Sequence, residues 1–171
     1  TAEQAVNLLG TSPPFESLSH DVLQRIAALG RSVRYRAGET IYEINTPADD
    51  IYVVIEGEVE HALDPGLAVA TQLVKVVGPG SIFGWAAVFR ESPSPSPAPR
   101  TRLAKTVSLR DAEILAIDAK ALLGVLAECP TGTLEQVMSR FASLEPRMYG
   151  FAGSAQIGGD VVPAPFAAST P

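Results

Sequence analysis

Sulfur and imidazole are scarce in this chain of 171 residues, which holds one cysteine, Cys129, and two histidines, His20 and His61. A lone cysteine cannot form an internal disulfide, and with no second sulfur or nearby histidine at metal-ligand spacing it reads as a small apolar residue. Two histidines leave imidazole catalysis or a metal centre short of groups. Also missing is any run approaching about 18 consecutive apolar residues, and the opening TAEQAVNLLG has no basic region. Neither a membrane span nor a signal peptide is therefore expected, and the default compartment is the cytoplasm. Positive charge is in deficit as well: 13 Lys and Arg stand against 19 Asp and Glu, a formal net charge of −6. Duplex DNA is repelled by that balance, so nucleic acid is not an expected partner. No internal repeat supports a solenoid.

What is present is apolar material for a single core. The composition is 46% hydrophobic and 19% charged, and a chain of this size buries about 70% of its unfolded surface as one domain. In FESLSHDVLQRIAALG, Leu18, Val22, Leu23, Ile26 and Leu29 recur at helical spacing, after a Ser19 cap and before Gly30. RSVRYRAGETIYEIN then alternates around Gly38, which predicts two strands and a turn ahead of the polar PADD. DIYVVIEGEVEHAL continues as strand, with Gly57 placed as a bulge or close-approach glycine. A DPG turn at 64–66 leads into LAVATQLVKVV, and GPGS into IFGWAAVF.

Prolines 93, 95, 97 and 99 make RESPSPSPAPR a loop or polyproline-like arm. AKTVSLRDAEILAID resumes strand character, and AKALLGVLAECP and TLEQVMSRFASL read as two helices broken at Pro130. The order is one helix, seven or eight short strands, then helices. Short strands with turns every eight to twelve residues predict a mainly β fold with flanking helices, an antiparallel jelly-roll barrel or double-stranded β-helix. Residues 1–13 form an N-terminal segment, 14–145 the domain, and 146–171 a Gly- and Pro-rich tail.

Most candidate chemistry has a plain explanation. Ser19, His20 and Asp21 are neighbours in sequence, whereas a nucleophile meets its base across separate segments, so they read as a helix cap. Glu56, Glu58 and Glu60 alternate and share a solvated face. GPGSIFGWAA differs: Gly78, Gly80 and Gly84 surround a short apolar stretch, and GWAAVF opens a single helical turn whose N–H groups suit an anion. Arg102 follows 18 residues after Gly84. A helical turn and a fixed guanidinium are the least equipment that cradles one phosphate, at roughly 1.5 to 3 kcal/mol per charge-assisted hydrogen bond.

Taken together, these segments resemble the cyclic nucleotide-binding domain of bacterial catabolite activators, the regulatory subunit of cAMP-dependent protein kinase and cyclic-nucleotide-gated channels. The carriers are FESLSHDVLQRIA, RYRAGETIYEINTPADDIYVVIEGEVE, GPGSIFG and RLAKTVSLRDAEILAID, spanning about residues 12–145. The resemblance implies a phosphate cassette made of Phe83, Gly84, Trp85, Ala86, Ala87, Arg102, Leu103, Ala104 and Lys105, with cAMP or cGMP as ligand. Asp111 lies nine residues after Arg102, and Ala104 falls where the family has alanine, so Arg102 rather than Arg100 takes the place of the phosphate arginine. Leu103 stands where a small residue meets the phosphate. Lys105 stands where the family has threonine or serine, and either adds charge to the phosphate end or snorkels outward.

Two departures matter. Trp85 replaces the glutamate that accepts from the ribose 2′-hydroxyl, a loss of about 1.5 to 3 kcal/mol, or about ten- to a hundredfold in affinity. Its indole either fills the sugar pocket or stacks on the ligand. ESPSPSPAP also lengthens the cassette, which adds loop-ordering entropy slowly with length.

Two functional expectations follow. One is a regulatory sensor, not an enzyme, that binds a cyclic mononucleotide and relays it through the C-terminal helices. The other is a ligand-independent interaction module of a larger assembly, with Arg102 bonded to a local carboxylate or to solvent. Leu134, Val137, Met138, Phe141 and Leu144 form a stripe for packing on the strands or on a second copy. A homo-oligomer or a larger assembly would form through this helix, the proline arm or the tail. No helix-turn-helix follows Pro146, so a self-contained transcription factor is not expected.

Overall fold

The computed structural model describes residues 2–63, 74–88, 102 and 104–148. The DPG turn, the proline arm, Arg100, Leu103 and the tail beyond residue 148 lie outside the described residues.

The chain opens with helix α1, Ala2–Thr11, which buries Ala5, Val6 and Leu9. The sequence pattern predicts only an N-terminal segment over residues 1–13 here. Its apolar residues do follow helical spacing, and the helix packs on residues 20–29 and on residues 50–56. Helix α2, His20–Leu29, starts where Ser19 Oγ accepts from the Val22 N–H and stops at Gly30, burying Leu23 and Ile26. The trio Ser19, His20, Asp21 is thus a helix cap, with His20 exposed.

Eight strands follow: β1 Gly30–Tyr35, β2 Thr40–Tyr42, β3 Asp50–Glu56, β4 Val59–Leu63, β5 Val74–Val77, β6 Ile82–Phe83, β7 Ala104–Ser108 and β8 Ala112–Asp118. Their pairing is nested and antiparallel: β1 with β8, β2 with β7, β3 with β6 and β4 with β5. Two further antiparallel pairs, β3 with β8 and β4 with β7, join these into two four-stranded sheets, ordered β1-β8-β3-β6 and β2-β7-β4-β5. Among the described residues the sheets stay separate and are not closed into one barrel. Most of β3 is buried, as are Ile114 to Ile117 of β8, which makes this pair the centre of the core.

Gly57 sits between β3 and β4 at φ +92°, where a Cβ would lie 2.5 Å from the Asp111 carbonyl oxygen. Only glycine satisfies both the left-handed backbone and the close approach. The register between β3 and β8 shifts between Val54 and Glu56, just before it. That bend splits the acidic series: Glu56 ends β3, whereas Glu60 belongs to β4, so the three glutamates do not share one strand. None is buried.

After β8, Asp118 caps helix α3, Ala119–Ala127, by accepting from the Ala121 N–H, and Leu122 and Leu126 face the core. Helix α4, Thr133–Met148, buries Val137 and Phe141 completely. Phe141 meets Phe15 edge-on at 5.5 Å between ring centres, and Arg140 Nη1 donates to the Pro13 carbonyl at 3.2 Å. The C-terminal helix is thereby fastened to the α1–α2 connection. No described helix is long and apolar enough to cross a membrane.

Candidate functional site

Arg102 enters just ahead of β7, held by its main chain: its N–H donates to Thr46 O and its carbonyl accepts from Asn45 N–H, both at 2.8 Å. Its side chain then turns inward and is 2% exposed. Nη1 donates to the Gly84 carbonyl and Nη2 to the Asp50 carbonyl, each at 2.7 Å. The guanidinium carbon lies 4.5 Å from the ring centre of Tyr42 and 5.2 Å from that of Tyr52. Nε is buried and has no hydrogen-bond partner.

No carboxylate among the described residues pairs with this cation. Asp50, whose carbonyl it uses, turns its carboxylate to Arg31 at 2.6 Å. A buried charge without a counter-ion costs several kcal/mol even after relaxation. Two neutral carbonyls and two aromatic faces, the latter contributing about 0.5 to 2 kcal/mol each, offset only part of that.

Gly84 supplies the other side of the contact. It follows β6 at φ +77°, and a Cβ there would lie 2.7 Å from Arg102 Nη1 and 2.8 Å from Tyr52 Cδ2. Glycine lets the guanidinium close on the main chain. A one-turn 3₁₀ helix, Trp85–Ala87, follows, with Ala87 N–H donating to the same Gly84 carbonyl at 3.3 Å. Phe83, Gly84, Trp85, Ala86, Ala87 and Arg102 thus converge as one segment and one arginine.

Trp85 turns inward from the one-turn helix. Its indole is 6% exposed and belongs to the apolar core, 6.4 Å from Phe141 of α4 between ring centres. It lines the seam between the cassette and the C-terminal helix. Next to Gly84, Tyr52 stacks on Phe83 at 5.1 Å, and Tyr42 lies 5.7 Å from Tyr52.

Along β7 the residues alternate cleanly. Arg102, Ala104, Thr106 and Ser108 are all buried, whereas Lys105 points outward and pairs with Glu43 at 2.9 Å across half-exposed side chains. The outward option holds for Lys105, and Ala104 keeps the inner face small beside Arg102. Leu103 lies outside the described residues.

His61 of β4, opposite Thr106, was only one of two histidines by sequence. It is 3% exposed, with Nδ1 2.8 Å from Thr106 Oγ1 and its ring 4.9 Å from Phe83. Nε2 has no partner. Burial, aided by the positive charge of Lys75, pulls its pKa from 6.5 to about 4, so the ring is neutral near pH 7. Burial raises the pKa of the Tyr52 phenol, with Arg102 opposing. Tyr42 and Tyr52 were likewise missed; the strand alternation that puts Val59 inside would also have put His61 inside. Among the described residues, no cluster of His, Cys, Asp and Glu could hold a metal ion.

The family model of the cyclic nucleotide-binding domain matches residues 32–129. An uncharacterized ABC transporter ATP-binding protein of Mycobacterium tuberculosis is 49% identical over 55 residues, 31% of this chain. The match spans only 16% of the length of that curated relative. A cyclic nucleotide-binding-like protein from Brucella abortus superimposes with a TM-score of 0.56 at 26% identity, over 72% of this chain and 98% of that one. The N-terminal domain of a transcriptional regulator from Streptomyces coelicolor gives a TM-score of 0.64 at 23% identity, over 89% of this chain and 99% of that one.

Proposed function

The chain belongs to the cyclic nucleotide-binding domain family, and on that premise we propose that it is a regulatory sensor, not an enzyme, which takes the cyclic phosphate of cAMP or cGMP against Arg102 and Gly84. The observation that carries this reading is the buried guanidinium of Arg102, which pairs with no carboxylate among the described residues and leaves Nε without a partner. An anionic phosphate supplies the missing counter-charge and oxygen acceptors in the fork geometry that arginine presents. Backbone carbonyls of Gly84 and Asp50 hold the group in place. The nested strand pairing supports reading residues 14–145 as the jelly roll of the ligand domain.

Relay is part of the same proposal. Trp85 follows Gly84 directly and packs on Phe141, which packs on Phe15, so a shift of the cassette bears on α4 and on the α1–α2 connection through three rings. Coupling of this kind typically amounts to about 1 to 3 kcal/mol. The output lies in whatever α4 leads to or docks on, a second copy or a larger assembly. The M. tuberculosis relative, an ABC transporter ATP-binding protein far longer than the matched segment, supports a module that works beside other domains.

The test is calorimetric titration with cAMP and cGMP of the unaltered chain, Arg102→Ala and Arg102→Lys. Saturable binding weakened at least about a hundredfold by Arg102→Ala, as the loss of two charge-assisted bonds requires, supports the sensor. Absence of heat and of thermal shift at millimolar nucleotide leaves the ligand-independent module as the function.

A further inference from the structure

Two buried polar side-chain atoms among the described residues have no partner, Arg102 Nε and His61 Nε2, and the fold sets both on one inner surface. Arg102, Ala104 and Thr106 share the inward side of the β7 path, and His61 lies across from Thr106 and is joined to it through Nδ1. Four residues of extended chain separate Arg102 from Thr106, a span of roughly 13 Å at most. That is comparable with the reach of a mononucleotide from its phosphate to the far edge of its base. Between the ends stand the smallest available side chain, Ala104, and an aromatic path in which Tyr52 touches the Arg102 guanidinium, Phe83 stacks on Tyr52 and His61 abuts Phe83.

We propose that His61 is a specificity-determining residue, its Nε2 making a hydrogen bond to the polar edge of a purine base whose phosphate is held by Arg102. The inference rests on the reading of Arg102 given above. A buried ring nitrogen without a partner is destabilising, and such groups are few in folded chains. Nδ1 is engaged with Thr106, so Nε2 is the position left for a guest. A neutral imidazole makes one bond there as donor or as acceptor, according to which way the Thr106 hydroxyl is turned, and the purine edges of adenine and guanine carry groups of both kinds. Phe83 and Tyr52 beside it offer aromatic surface to the same base. Lys75, opposite His61 on β5, and the Thr106 hydroxyl are the charged and polar neighbours on the adjacent strands.

The experiment titrates the unaltered chain, His61→Phe and Arg102→Lys with cAMP, cGMP and base-free ribose 3′,5′-cyclic phosphate, with thermal unfolding of each variant in parallel. His61→Phe is expected to weaken the purine nucleotides about two- to tenfold and to leave the base-free ligand unchanged, whereas Arg102→Lys weakens all three. Equal purine binding by His61→Phe, or equal loss of all three ligands, overturns the role assigned to His61 and leaves the phosphate site standing. No binding by the unaltered chain overturns the phosphate site and the base contact together. If His61→Phe does not fold, histidine-labelled protein carrying His20→Gln leaves one imidazole to observe. Its Nε2 ¹⁵N resonance must move with cAMP or cGMP and not with the base-free ligand; a resonance unmoved by bound purine nucleotide overturns the proposal.

Discussion

At the scale of the residue, burial decides what polar groups can do. His61 keeps a folded-state pKa of about 4 against an ordinary 6.5. Because the folded pKa is the lower one, the unfolded chain takes up a proton between those values while the folded chain does not, so stability rises with pH across that window and is fully present above it. The difference corresponds to about 3 kcal/mol. Urea unfolding of the unaltered chain should therefore show a loss of that order between pH 7 and pH 4 that His61→Phe lacks; parallel pH profiles for the two proteins would refute the assignment. Arg102 and Gly84 illustrate the complementary point, since a Cβ on Gly84 would come within 2.7 Å of Arg102 Nη1 and crowd the bond between them.

At the scale of the element, the informative contact is between the one-turn helix after β6 and α4. Phe141 is fully buried, against Phe15 on one side and Trp85 on the other. Phe141→Ala removes a large side chain from a filled core and should destabilise the fold by about 3 to 5 kcal/mol. Trp85 is the single tryptophan, so its emission reports this seam without labelling. Phe141→Leu, a milder change, should shift that emission toward the red, and the proposed relay requires it to blunt any emission change that cAMP or cGMP produces in the unaltered chain. An emission change of undiminished size would mean that the cassette and α4 are not coupled through this pair.

At the scale of the whole molecule, stability rests on the two apolar sheet faces and the helices covering them, not on surface charge. Every ion pair among the described residues has at least one largely exposed partner, and pairs of that kind contribute about 0 to 1 kcal/mol each and are screened by salt. Raising sodium chloride from 0.1 to 1 M should change the free energy of unfolding by no more than about 2 kcal/mol, measured by urea titration. A larger loss would show that the surface pairs act as a network.

What the sequence determined by itself is what repeats locally. Helical spacing and a Ser19 cap placed α2, alternation and turn residues placed the strands, and Gly57 marked the bend before β4, because each of these follows from a few neighbouring residues and their backbone preferences. The sequence also singled out Gly84 and Arg102, which the structure brings into contact. Tertiary structure alone decided where the side chains went. Trp85 turns to a helix some fifty residues onward, Arg102 reaches the carbonyls of Gly84 and Asp50, and His61 is buried opposite Thr106. Helix α1 joins the core by meeting α2 and β3. Those outcomes depend on contacts between segments far apart in the chain, formed by nested strand pairing and by competition for a filled interior, and local pattern carries no information about which distant group will be there to meet them.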